Sequence, residues 1–180
     1  MPRALLLAFA LVSAAALAQP DARRGPDVIY VPTPYEVVDA MLKLADVHPG
    51  DVLYDLGSGD GRIPVAAAKK FGIHAVGIDI DPRRIAEANE NAQRNQVTHL
   101  VQFRNEDLFR TDIHDATVVT LYLLPDLNVK LRKRLLAELK PGSRVVSHQF
   151  SMGDWQPERK LELHGRVIYL WRIPERKTAQ

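Results

Sequence analysis

Residues Val52 to Arg62 read Val-Leu-Tyr-Asp-Leu-Gly-Ser-Gly-Asp-Gly-Arg, an apolar run that passes through alternating glycines. The pattern predicts a buried strand, a tight loop and then a helix. Gly57, Gly59 and Gly61 let the backbone take positive φ and let a ligand approach where a Cβ would clash. Strand, loop and helix N-terminus in that order make a nucleotide-type binding site. A dinucleotide fingerprint needs G-x-G-x-x-G, and its third glycine would fall on Arg62. The glycines run instead as G-x-G-x-G behind Asp55. About 20 residues further on, His74 to Asp79 reads as a strand ending in a carboxylate, a spacing that suits acceptance of hydrogen bonds from ribose hydroxyls.

On the N-terminal side, Thr33-Pro34-Tyr35-Glu36 fits a capping box with proline at the first helical position, Thr33 accepting from the N–H of Glu36. Val38, Met41, Leu42 and Ala45 then share one helical face. On the C-terminal side, Pro64 lies in the first turn of a second helix that Gly72 stops. Asp81-Pro82 starts a third helix, running to about Asn95. Val101 to Arg104 is a short strand, followed by Asn105, Glu106 and Asp107. Thr117 to Leu124, apolar and β-branched, reads as a central parallel strand buried on both faces. Asp126 starts a helix with Leu127, Leu131, Leu135 and Leu139 on one face. Its other face carries Lys130, Arg132, Lys133 and Arg134, either a solvated surface or a docking surface for an acidic partner or anionic lipid. Val145 to Phe150 is the next strand, Gly153 to Pro157 a loop, and Leu161 to Leu163 with Val167 to Ile173 a closing hairpin.

Strands alternating with helices imply a mostly parallel sheet with helices on both faces, here in one domain over residues 30–174. Ligands in such sheets sit beyond the carboxyl ends of the strands, where Gly57, Asp79, Asp107, Tyr122 and Phe150 fall.

Composition narrows the chemistry. The 180 residues are 46% apolar, enough for one core, and 24 basic residues against 22 acidic ones give no pull toward nucleic acid. Without cysteine there are no disulfides, thiolate metal sites or thiol nucleophiles. The six histidines lack a ligand spacing such as H-E-x-x-H, so no metal is expected. Met1-Pro2-Arg3, an apolar run from Ala4 to Ala18 and the Ala16-Leu17-Ala18 cleavage pattern match a secretory signal peptide over residues 1–18. Export to the periplasm or medium follows. The alternative is an uncleaved membrane anchor with the domain in the cytoplasm, since Arg23 and Arg24 flank the run. Residues 19–29 read as a linker and 175–180 as a fraying tail.

The loop Asp55 to Gly61, with Asp79 after it, resembles motif I of the class I S-adenosylmethionine methyltransferases. That resemblance implies a Rossmann-like seven-stranded sheet with a C-terminal antiparallel hairpin, and S-adenosyl-L-methionine as cofactor. Asp55, Gly57, Ser58, Gly59 and Gly61 would hold its methionine part, Asp79 its ribose and Asp107 its adenine amino group. The alternative for Asp107 is that it only caps the turn before Leu108 and Phe109. An NAD site and a purely structural glycine turn are the other readings of the loop. Tyr30-Val31-Pro32-Thr33, Glu106-Asp107-Leu108 and a late Trp155 further resemble the small protein-lysine methyltransferases that modify the mitochondrial ATP synthase c subunit and adenine nucleotide translocase, and their bacterial relatives. That branch implies a protein substrate. Tyr122, Phe150 and Trp155 are candidates to line a lysine channel, each with core packing as its alternative, and His148 is either a proton relay or a hydrogen-bonded core residue. Leu123-Leu124-Pro125 stands where base and glutamine methyltransferases carry Asn/Asp-Pro-Pro-Tyr. A small-molecule methyltransferase and a non-catalytic exported domain are the rival functions.

Overall fold

The computed structural model describes residues 30–176. The expected signal peptide or anchor (1–18), the linker (19–29) and the end of the tail (177–180) lie outside the described residues. Among the described residues no helix is long and apolar enough to cross a membrane.

The chain runs α1 (Tyr35–Leu44), β1 (Val52–Leu56), α2 (Arg62–Phe71), β2 (His74–Asp79), α3 (Pro82–Arg94), β3 (Val101–Asn105), β4 (Val118–Leu121), α4 (Pro125–Glu138), β5 (Arg144–His148), β6 (Arg159–Leu163) and β7 (Arg166–Arg172). The seven strands lie in the order β3-β2-β1-β4-β5-β7-β6, all parallel except β7, which runs antiparallel between β5 and β6. From β1 the chain steps outward to β2 and β3, then returns to the other side of β1 with β4. Strand order therefore reverses between β1 and β4, and a crevice opens at their carboxyl ends.

Alternate residues feed the two faces of the sheet. Leu53, Ala75, Val118 and Val146 pack under Val38, Met41 and Leu42 of α1. Their neighbours Tyr54, Val76, Val119 and Val145 pack under Leu131 and Leu135 of α4, with Trp171. Central strands buried on both faces explain why β1 and β4 are apolar apart from Asp55 and Thr120.

Several expectations shift. The N-cap of α1 is Pro34, without any side-chain cap, because the Thr33 hydroxyl turns instead to His148 across the fold. The fourth strand is shorter than Thr117 to Leu124, as the chain leaves the sheet at Tyr122. The fifth ends at His148 because Gln149 takes a left-handed φ of 70°. The α4 helix begins at Pro125 rather than Asp126. Three of the four residues on its basic face are engaged: Arg132 donates to the Met152 carbonyl, Arg134 pairs with Glu138 and donates to the carbonyls of Leu108 and Thr111, and Lys130 lies 4.1 Å from the Phe109 ring centroid, while Lys133 is exposed.

At the amino ends of β1, β4 and β5, Asp51 accepts from Thr117 Oγ1 (2.7 Å), from the His48 N–H (3.0 Å) and from Arg144, which also donates to the carbonyls of Ala45 and Asp46 beyond α1. Burial alone would raise the Asp51 pKa, but the hydrogen bonds from Thr117, His48 and Arg144 outweigh it and hold the group below its usual value. A carboxyl with a depressed pKa stabilises the fold above its unfolded pKa and loses that contribution as pH falls through the folded one. Asp51→Ala leaves the Arg144 charge buried without its partner and should cost about 3 kcal/mol or more in urea unfolding at neutral pH. The deficit relative to wild type should shrink as the buffer is taken into acid.

Candidate active site

The carboxyl ends of β1, β2 and β4 open into a cavity of about 470 Å³, within the range that holds cofactor-sized ligands. Asp55, Gly57 and Ser58 reach it from β1, Asp79 from β2, Asp107 from the turn after β3 and Tyr122 from the end of β4. A strap formed by Tyr30 to Thr33 closes one side.

The three glycines do three different jobs. Gly57 lines the cavity at φ 88°, and a Cβ there would stand 2.8 Å from Leu123 Cδ2. Gly59 lies under the Tyr30 ring, where a Cβ would come within 2.2 Å of Cε2, and its N–H donates to Asp79 Oδ2 at 2.9 Å. Gly61 is a packing residue that lets Phe103 and Ala88 close in, at 2.5 and 2.8 Å from a would-be Cβ. Neither Gly59 nor Gly61 lines the cavity, although the sequence reading grouped them with Gly57 and Ser58.

Asp55 is 2% exposed, and its Oδ1 accepts from Thr120 Oγ1 at 2.7 Å. Among the described residues no basic side chain pairs with it. Burial raises its pKa to about 8 despite the Thr120 hydrogen bond, with Asp79 and Asp60 pushing the same way. Ser58 Oγ, also buried, has no hydrogen-bond partner there. Asp79 is pinned by backbone, Oδ1 accepting from the Asp81 N–H and Oδ2 from that of Gly59, both at 2.9 Å. Each of its oxygens keeps a further lone pair for a ligand. Asp107 both caps and lines: Oδ1 accepts from the Phe109 N–H while the residue faces the cavity. A buried carboxyl and a second carboxylate with free lone pairs together suit a ligand bearing an ammonium group and a diol.

Of the aromatic candidates, Tyr122 lines the cavity, packs against the His148 ring at a tilt of 34° with ring centroids 4.0 Å apart, and stacks on Phe150 at 6.2 Å. Phe150 stands behind Tyr122. Trp155 is not brought to the cavity. It packs on Trp171 at 5.8 Å and accepts the Trp171 indole N–H with its carbonyl, because the Met152–Trp155 bridge folds its loop onto the α4 side of the sheet. His148 is fully buried, its Nδ1 in hydrogen-bond contact with Thr33 Oγ1 at 3.2 Å. Burial, aided by Arg166, lowers its pKa to about 4, so the ring is uncharged near neutrality.

Sequence reasoning did not assign the strap and its anchors to the site. Arg62 grips the Asp60 carboxylate through Nε and Nη2 and donates to the Thr33 carbonyl at 2.9 Å. Arg84 lies 4.5 Å from the Tyr30 ring centroid. The Tyr-Val-Pro-Thr element and Arg62 were visible as motifs, but a contact between segments so far apart in the chain has no local signature.

Comparison with known proteins agrees with this geometry. The sequence model of the ANTKMT methyltransferase domain matches residues 55–159. The chain is 45% identical to a protein-lysine N-methyltransferase of Saccharolobus islandicus, covering 84% of this chain and 98% of that one. It is 37% identical to the adenine nucleotide translocase lysine N-methyltransferase of Mus musculus over 79% of this chain, and spans 63% of that relative's length. A crystal structure described as an RNA methyltransferase from Salinibacter ruber, in complex with S-adenosyl-L-homocysteine, is 55% identical and superposes with a TM-score of 0.80, covering 83% of this chain and 98% of that one.

Because the folded state raises the pKa of Asp55 from 3.8 to about 8, it holds a proton that the unfolded chain releases. The contribution of this proton is complete below the unfolded value and is lost as pH rises through the folded one. Asp55→Asn keeps an acceptor for Thr120. In the ligand-free protein it should remove a loss of stability of up to about 1.4 kcal/mol per pH unit across that window, read from urea midpoints.

Proposed function

Because the chain belongs to the family of the ANTKMT methyltransferase domain, we propose that its cavity binds S-adenosyl-L-methionine and directs the methyl group to the side-chain amine of a protein lysine. It is a class I methyltransferase, and S-adenosyl-L-methionine is its cofactor. When bound, the cofactor supplies a methyl group already activated by a sulfonium, which leaves alignment as the main task of the protein. The observation that carries the reading is the buried Asp55 carboxyl on the cavity wall, which has Thr120 but, among the described residues, no cation paired with it to stabilise its charged form. An amino-acid ammonium is the group it suits. Ser58 lines the cavity beside the same portion, Asp79 presents its spare lone pairs to the ribose diol, and Asp107 is the acceptor for the adenine amino group. Gly57 lets the backbone come close, while Gly59 and Gly61 support the loop from below.

On the acceptor side the wall is Tyr122 with Leu123 and Leu127. A lysine must lose its proton to act as nucleophile, which costs on the order of 4 to 5 kcal/mol at neutral pH. An apolar wall and the neighbouring sulfonium charge favour the neutral amine, and an uncharged His148 adds no acid of its own. Tyr122, with Phe150 behind it, presents an aromatic face to an ammonium or its methylated product.

The Salinibacter relative's description supports RNA as a second reading. Against it, the arginines at this mouth are neutralised: Arg62 by Asp60, Arg83 by Asp81 and Arg84 by Glu87. Paired arginines do not form the row of cations that a phosphate backbone needs.

The test is to incubate the purified chain with methyl-labelled S-adenosyl-L-methionine and cell extract. Label on protein lysine is expected; label confined to RNA or small molecules overturns the lysine reading. Asp79→Ala should weaken S-adenosyl-L-homocysteine binding by about tenfold or more in calorimetry, two charge-assisted hydrogen bonds being lost. Residues 1–18 remain a proposed signal peptide or anchor, and the mass of the mature chain distinguishes a start at Gln19 from one at Met1.

A further inference from the structure

The strap and the acceptor wall meet at one contact. Pro32 and Pro34 stiffen the strap by fixing φ at two of the positions from Tyr30 to Pro34. At one end of the strap the Tyr30 ring lies on Gly59 beneath Arg84, and at the other Arg62 holds the Thr33 carbonyl. Thr33 is 5% exposed, and its hydroxyl serves neither its own helix nor the glycine loop. It reaches His148 Nδ1 on β5. His148 has no hydrogen bond from Nε2 among the described residues, so the Thr33 contact is the polar restraint on its ring. Tyr122 packs against that ring, and Phe150 stacks on Tyr122. Phe150 is itself held by its carbonyl, which accepts from Ser147 Oγ at 2.7 Å and Asn128 Nδ2 at 3.1 Å. The aromatic group is thus fixed from β5 and α4 on one side and by a single strap hydroxyl on the other.

We propose that Thr33 is a positioning residue for methyl transfer: through His148 it fixes the ring of Tyr122 that faces the acceptor, and so links the strap over the glycine loop to the acceptor wall. Removing the hydroxyl takes away the polar restraint on the buried imidazole and loosens the backstop of Tyr122. Asp55, Asp79 and Gly57 are untouched by the change, and valine keeps the bulk that Thr33 gives the cavity wall, so the loss falls on acceptor alignment and not on cofactor affinity. The inference rests on the methyltransferase reading above.

The test compares Thr33→Val with Thr33→Ser in the full chain. Calorimetry with S-adenosyl-L-homocysteine should give both variants the wild-type affinity, which also certifies folding. Transfer of label to extract proteins at saturating S-adenosyl-L-methionine should fall by at least about tenfold in Thr33→Val and recover in Thr33→Ser. The Tyr122 ring signals in an NMR spectrum, assigned with Tyr122→Phe, should move in Thr33→Val and return in Thr33→Ser. Wild-type transfer by Thr33→Val, a serine variant as slow as the valine one, or unmoved Tyr122 signals each overturn the proposal. Lost S-adenosyl-L-homocysteine affinity in a folded Thr33→Val would also overturn it, assigning Thr33 to the cofactor instead. If the wild type labels no protein, the lysine reading fails by itself, and the Tyr122 signals alone decide this inference.

Discussion

The Asp55 carboxyl lies at the seam between β1 and β4, hydrogen-bonded to Thr120 of the neighbouring strand and almost out of reach of water. Burying such a group is costly unless it is neutral or meets an opposite charge. The fold tolerates it because the seam is also where strand order reverses and the crevice opens, so a ligand can supply the charge that the protein does not. The loop from Gly57 to Gly61 bends away from this point, and the backbone N–H of Gly59 fixes the second carboxylate, Asp79, facing the same space. Cavity, ligand chemistry and loop shape all follow from where that one acid sits.

The two ends of the sheet divide the work. At the amino ends, Asp51, Thr117 and Arg144 satisfy one another and the carbonyls that follow α1, a closed network that serves stability. At the carboxyl ends polar groups keep unused valence: the spare lone pairs of Asp79, the Ser58 hydroxyl and the underprovided Asp55. An incompletely satisfied polar cluster is destabilising in isolation, and it is found where binding completes it. The strap adds the fourth wall from a segment that belongs to neither sheet nor helix, its hydroxyl diverted from helix capping to the imidazole of His148.

Local rules were legible wherever neighbours in sequence decide the geometry. Asp81 accepts from the Arg83 N–H with Pro82 at the first helical position, and Gly72 closes α2 in a left-handed conformation. The apolar runs of β1 and β4 became central strands for the reason their composition suggests. Local rules failed where a distant partner competed. Thr33 fits a capping box, but His148 offered a buried alternative and the helix starts without a side-chain cap. The basic face of α4 looked solvated, yet Arg132 and Arg134 are drawn onto carbonyls of adjoining loops. Trp155 was a channel candidate because an aromatic face suits an ammonium, with core packing as the alternative, and the indole of Trp171 took it into packing on the α4 side.

By itself the sequence determined the order of strands and helices, the glycine loop and the acids at strand ends, since these depend on periodicity, on capping and on the absence of a Cβ within a few residues. Only the tertiary structure decided which glycine faces the ligand and which lie under Tyr30 and Phe103. It alone brought Tyr30 to Thr33 across the cavity, set Tyr122 against His148, and gave Asp55 the hydroxyl of Thr120 as its donor. Those outcomes turn on contacts between segments far apart in the chain, where the cost of burying a polar group is settled by whichever partner the packed fold delivers.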